Sequence, residues 1–166
     1  MPKVIVLVLE GDAATATLAA AAAEGARDVR FTEVDLRVVQ SDRVTGSATI
    51  KALDAAERLA DYDGVMIFGG ADSAASRAIT SFAQQLAALE PANVFANTVF
   101  AFIPAGGTIL ECFTALGGIL VSSPRGVEDG TARARAYGAR VAKVAGWVRH
   151  ALGHEHAEHE KHHHHH

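Results

Sequence analysis

The chain has 166 residues, 49% of them hydrophobic and 20% charged, which suits one globular domain with a well-buried core. Its nine histidines all lie at or beyond His150 and Cys112 is the only cysteine, which excludes His-based catalysis in the body, disulfide frameworks and Cys-rich zinc sites. The net charge is −4, residues 1–149 are close to neutral, and no apolar run reaches the roughly 18–20 residues of a membrane span; neither a nucleic-acid footprint nor a polybasic anchor is expected.

Val4–Leu9 (VIVLVL) is near-continuously apolar, the pattern of a strand buried on both faces of a parallel sheet. Thr15–Glu24 is Ala-rich and predicts a helix, with Gly25 as its C-terminal stop. Val29–Val34 alternates apolar with polar and predicts an edge strand. Arg37–Ile50 is a long polar stretch, expected to form a mobile surface loop. Lys51–Ala60 predicts a charged amphipathic helix, and Val65–Phe68 a second buried strand. Ser76–Leu89 sets Ile79, Phe82, Leu86 and Leu89 on one helical stripe. Val99–Ile103 (VFAFI) is a third buried strand, and Thr108–Leu116 a short apolar helix closed by Gly117-Gly118. Ile119–Val121 predicts a last strand. Gly130–Leu152 is the longest helix, with Tyr137, Val141, Val144 and Val148 among its apolar members.

Strict alternation of strand and helix implies a parallel sheet with right-handed crossovers and helices on both faces. Five strands in about 150 residues is the size of the flavodoxin-like doubly wound α/β fold, order 2-1-3-4-5. The domain is expected over residues 1–152. Residues 153–166 form a polar His/Glu-rich tail whose terminal His162–His166 run reads as a purification tag. The chain enters a strand at Lys3 without a signal-peptide pattern, and a single buried cysteine fits a reducing compartment; cytoplasmic residence is expected.

Ligands of open α/β sheets sit outside the carboxyl ends of the strands, at the switch in strand order. Three loops rich in small residues reach that edge. Candidate cofactor contacts are Gly11, Asp12 and Thr15 in the first, Gly70, Ala71, Asp72 and Ser73 in the second, and Ala105, Gly106, Gly107 and Thr108 in the third. No side chain is assigned as catalytic and no metal-ligand set is assigned. Glu10, Asp12 and Asp72 can be read as an oxygen cluster for Mg²⁺ or Ca²⁺, or as an N-cap at Asp12 with two solvated acids. With Thr108 and Arg125 they also faintly resemble receiver domains. Gly106-Gly107-Thr108 is an anion nest or a turn capped by Thr108. Arg125 is a phosphate contact or a solvated cation. Cys112, Tyr137 and Trp147 read as packing residues, the two aromatics against the sheet or a subunit partner. Gly153–Glu160 is a transition-metal chelator or a frayed polar tail.

Lys3–Ala26, Leu59–Gly69, Thr80–Gln84, Thr114–Val121 and Arg133–Ala145 together resemble the WrbA-type NAD(P)H:quinone oxidoreductases. The resemblance covers most of the chain, and its most specific pieces are AAAEGA and LADYDGVMIFG. It implies a flavodoxin-like fold, FMN as cofactor, NAD(P)H and quinones as substrates, and dimers or tetramers. The family's first loop reads approximately Ser-x-x-Gly-x-[Ile/Thr]; here those positions are Glu10, Ala13 and Thr15. Its second, approximately Gly-Thr-Pro-Thr-Arg-Phe-Gly-Asn, is here Gly69–Ser76 without the Pro, Arg, aromatic or Asn. The third, Ser/Thr/Gly-rich, is reduced to Pro104–Thr108, and the family's late His has no counterpart. Carboxylates at Glu10 and Asp12 each oppose a phosphate dianion by on the order of 1 kcal/mol, whereas the helix dipole returns about 0.3–1 kcal/mol. The resulting expectation is a relative of FMN-dependent NAD(P)H:quinone oxidoreductases with an eroded FMN site. The alternative is a non-catalytic binding or assembly module of the same fold.

Overall fold

β-Branched and aliphatic residues dominate Lys3–Leu9, and this run forms β1, an interior strand of a five-stranded sheet. The computed structural model describes residues 1–9, 13–39, 56–69, 73–88, 93–103, 111, 115–124 and 130–163. In chain order the elements are β1, α1 (Ala13–Arg27), β2 (Glu33–Val39), a 3₁₀ helix (Ala56–Asp61), β3 (Gly64–Gly69), α2 (Ser73–Ala87), β4 (Val99–Ile103), β5 (Ile119–Leu120) and α3 (Gly130–His163). Every strand pair is parallel and the order is β2-β1-β3-β4-β5. This is the flavodoxin-like arrangement that the strand–helix alternation predicts.

Period-2 alternation splits the core in two. Ile5, Leu7 and Leu9 of β1 point to the α2 face, where Val65, Ile67, Phe82, Leu86, Phe95, Phe100 and Phe102 pack. Val4, Val6 and Val8 point to the other face, against Met66, Phe68 and the alanines of α1 and α3. One layer is thus rich in aromatic rings; the other is rich in alanine and valine methyl groups, packed around Phe68 and Tyr137.

The methyl-rich layer brings α1 and α3 into backbone contact. A Cβ on Gly25 would lie 1.9 Å from the Arg135 carbonyl oxygen, and one on Gly138 would lie 1.9 Å from that of Ala22. Both glycines are buried within their helices. Gly25 is therefore a crossing point, and α1 runs past the expected stop to Arg27. Arg135 clamps the crossing from outside, donating to Glu24 and, at 3.3 Å, to Asp28. These exposed pairs contribute modestly.

The longer α1 displaces the next strand. A turn occupies Asp28–Phe31, with Phe31 in the left-handed region at φ 61°, so β2 starts at Glu33 instead of Val29. Arg37–Val39, expected in a loop, are strand; residues 40–50 lie outside the described residues. Of the expected helix at 51–60, residues 56–61 are a 3₁₀ turn that tucks Leu59 into the core, and residues 51–55 lie outside the described residues. Ala115–Gly117 form a turn, so the expected helix over Thr108–Leu116 does not reach Leu116. Gly117 takes φ 76°, a conformation that favours glycine, and a Cβ on Gly118 would strike the Phe100 ring at 2.4 Å. The last helix does not end at Leu152 but continues through Gly153 to His163, the Ala, Glu and Lys that follow the glycine being good helix formers. Of the two expected placements, Tyr137 takes the one against the sheet; Trp147 does not pack on the sheet and is 68% exposed, on the surface where a subunit partner would meet it.

Candidate functional site at the carboxyl edge of the sheet

Parallel strands put all carboxyl ends on one edge, and the register aligns them closely. Leu9 is the partner of Gly69, and Phe68 of Ile103. The residues that open the first two loops are thus neighbours across β1 and β3. That pair is also the switch point, since β2 lies on one side of β1 and every later strand on the other. α1 and α2 begin at this edge with no acidic residue in the first turn, so the positive ends of their dipoles are not neutralised from within the helix.

Of the expected contacts, Thr15 is half-buried in the first turn of α1 and Ser73 opens α2. Gly11, Asp12, Gly70, Ala71, Asp72, Ala105, Gly106, Gly107 and Thr108 lie outside the described residues, as do Glu10, Cys112 and Arg125. The frame of the site is therefore the two helix starts and the strand ends Leu9, Gly69 and Ile103.

Two groups at this edge escape sequence reasoning. Ser123 follows β5, and its Oγ is buried without a hydrogen-bond partner among the described residues. A shielded hydroxyl of this kind costs about 1–3 kcal/mol unless something bonds to it. Tyr137 reaches from α3 and donates its phenol to the Val121 carbonyl. Burial pushes its pKa up, opposed by a hydrogen bond from the Phe102 backbone and by the Arg140 charge. Tyr137 thereby ties α3 to the ends of β4 and β5.

The fit to a flavin is partial. First turns without acids in α1 and α2, the Thr15 hydroxyl and the Ser123 hydroxyl suit an anionic, hydroxyl-bearing ligand, whereas Asp12 and Asp72, which precede the two helices in sequence, oppose one. Ala13 occupies the position where the resemblance asks for glycine. Among the described residues no group of three or more His, Cys, Asp and Glu side chains gathers as for a metal.

The opposite, amino edge is built for stability. Asp63 accepts from the Lys3 backbone N–H at 2.9 Å and from Arg149 at 3.2 and 3.3 Å, while its own N–H donates to the Lys3 carbonyl at 2.8 Å. Nearby, the Tyr62 phenol donates to the Asp35 carboxylate. Desolvation first, then that hydrogen bond and the Asp35 charge, push the Tyr62 pKa to about 12.

Strand order and edge geometry define a flavodoxin-like α/β protein with its candidate site at the β1/β3 switch point. No known family model matches the chain, and no characterised protein matches it in sequence. Among the described residues no helix is long and apolar enough to cross a membrane.

Proposed function

We propose that this chain is a flavodoxin-like relative of the FMN-dependent NAD(P)H:quinone oxidoreductases whose FMN site is eroded. The observation that carries the reading is the β2-β1-β3-β4-β5 parallel order, with Leu9 and Gly69 side by side where two helices with no acid in their first turns begin. Such an edge receives a nucleotide or a quinone through main-chain N–H groups and small side chains. When bound, FMN would supply the hydride chemistry; the chain's own groups would bind and orient it. Glu10 and Asp12 beside the first loop, and Ala13 in place of glycine, weaken that binding electrostatically and sterically. Cytoplasmic residence and self-association into dimers or tetramers belong to the same proposal.

The test is a titration of the purified chain with FMN, followed by absorbance and flavin fluorescence, and an NAD(P)H:quinone assay. Weak, unsaturating binding is expected, rising in the Glu10→Ser/Ala13→Gly variant. Saturable micromolar or tighter binding by the unaltered chain would overturn the erosion. The Ser123 hydroxyl, buried without a partner among the described residues, favours a second reading: a non-catalytic module of this fold that binds another polar ligand at the same edge. Absence of binding in both forms of the chain, with NAD(P)H and quinones also inert, would support it.

A further inference from the structure

His150 and His154 stand four residues apart on α3, one turn of helix, and both are exposed. Their ring centroids are 5.1 Å apart with the planes at 78°. Two imidazole nitrogens each about 2.0–2.1 Å from one ion bring ring centres to about 5 Å. The separation of the two rings thus matches that of a metal-bound pair, and rotation of the exposed imidazoles turns a nitrogen of each toward a shared ion. Two histidines at this spacing on one helix face are a proven zinc-holding arrangement in other chemistry.

The surroundings leave room. His150 and His154 line a groove of about 480 Å³ with Gly146, Arg149 and Gly153. A Cβ at Gly153 would meet nothing within 4 Å, and one at Gly146 only the Pro2 ring at 3.8 Å. The cation in that groove, Arg149, bonds to Asp63 at 3.2 and 3.3 Å, so its charge is countered. Contacts to Pro2 and Asp63 place the groove at the amino edge of the sheet, away from the candidate site above.

We propose that His150 and His154 form a capture site for a divalent transition ion of the Cu²⁺, Ni²⁺ or Zn²⁺ class. Imidazole selects these ions over Mg²⁺ and Ca²⁺, which prefer oxygen. Among the described residues no third ligand joins the pair, so water fills the other positions and the site stays open and exchangeable. In sequence, Glu158 and His162 continue the same four-residue spacing, and the helix backbone persists to His163.

The terminal His162–His166 run also binds such ions, and Trp147 separates the two. It is the only tryptophan, it is exposed, and it precedes His150 by one turn. His162 lies 15 residues farther along the chain, roughly 22 Å if helical throughout. Copper quenches indole emission at short range, whereas zinc, a closed-shell ion, does not. The full chain is titrated with Cu²⁺ while Trp147 emission is followed, and Zn²⁺ is then added as competitor. Expected is saturable quenching that Zn²⁺ reverses, with the midpoint in free, buffered Cu²⁺ unchanged when His162–His166 are replaced by Ser. The His150→Ala/His154→Ala variant, its fold checked by circular dichroism, should need about tenfold more Cu²⁺ or lose the quenching. Quenching that survives in that variant at the same midpoint, or vanishes in the tail variant, would overturn the proposal.

Discussion

Gly25→Ala is the sharpest test of the helix crossing. On an exposed helix this change would stabilise by roughly 1 kcal/mol, because alanine is the better helix former. Here the new methyl meets the Arg135 carbonyl oxygen at 1.9 Å and its carbon at 2.7 Å, and ordinary contact begins at 3.4 Å. The obstacle is backbone, so no rotamer change relieves it, and α1 and α3 must part. Separation loosens the buried contacts of Ala22, Ala26, Ala134 and Ala142 and the Arg135–Glu24 pair. Overpacking of this kind costs about 1–3 kcal/mol. With the clash against backbone we place the net loss near 2 kcal/mol, which lowers Tm by about 4–8 °C in a domain of this size. Gly138→Ala meets Ala22 in the mirror situation. One displacement relieves both clashes, so the double variant should lose less than the sum, by about 1 kcal/mol. Gly146→Ala is the control: its Cβ would meet only Pro2 at 3.8 Å, and its Tm should hold or rise. Thermal denaturation of the four variants decides the matter. A Tm for Gly25→Ala equal to or above that of the unaltered chain, alongside Gly146→Ala, would refute the crossing.

Tyr62 provides a pH test. Its folded pKa lies near 12, above the ordinary 10, so its contribution to stability is full below pH 10 and is lost as pH rises through 12. Tyr62→Phe should flatten the fall in stability across that window, measured by urea melts at pH 9 to 12. Phe31 sits at φ 61° with its ring 70% exposed and Arg30 above it at 5.6 Å. Phe31→Asn should stabilise by about 0.5 kcal/mol, since asparagine tolerates that backbone, and Phe31→Val should destabilise by about 1 kcal/mol or more; Tm values in the order Asn, Phe, Val are expected. Asp63→Ala leaves the Lys3 N–H and Arg149 without their acceptor and should cost about 1–2 kcal/mol in chemical denaturation, with Asp63→Asn costing less.

How much of the fold is legible in the chain depends on the element. β1, β3 and β4 announce themselves because strands buried on both faces carry no polar alternation, and the observed bounds of β4 match Val99–Ile103. Helix ends are harder to read. Gly25 looks like a stop to local rules, yet its neighbour across space is Arg135, a contact that spacing along the chain cannot reveal. The same misreading carries over to β2, which starts at Glu33. Ending the last helix at Leu152 also divides His150 from His154 between helix and tail, although their four-residue interval is visible in the sequence. The candidate site at the carboxyl edge is legible as topology, through strand order. Ser123 and the reach of Tyr137 to Val121 are not, since both depend on how the sheet edge folds over them.

The methyl-rich layer carries a consequence for how the molecule comes into being. Its closest contacts join positions far apart, with Glu24 and Arg135 separated by 111 residues. During synthesis the α2 face can begin to close around Phe82, Phe95 and Phe100 while the ribosome is still adding chain. The α1 face of the sheet is covered by α1 alone until α3 emerges, and closing so long a loop is slow. Nascent chains halted before Gly130 should therefore leave bare the part of α1 around Ala22 and Gly25 and the sheet surface that α3 covers, a sticky intermediate that chaperones would be expected to shield until the final helix docks.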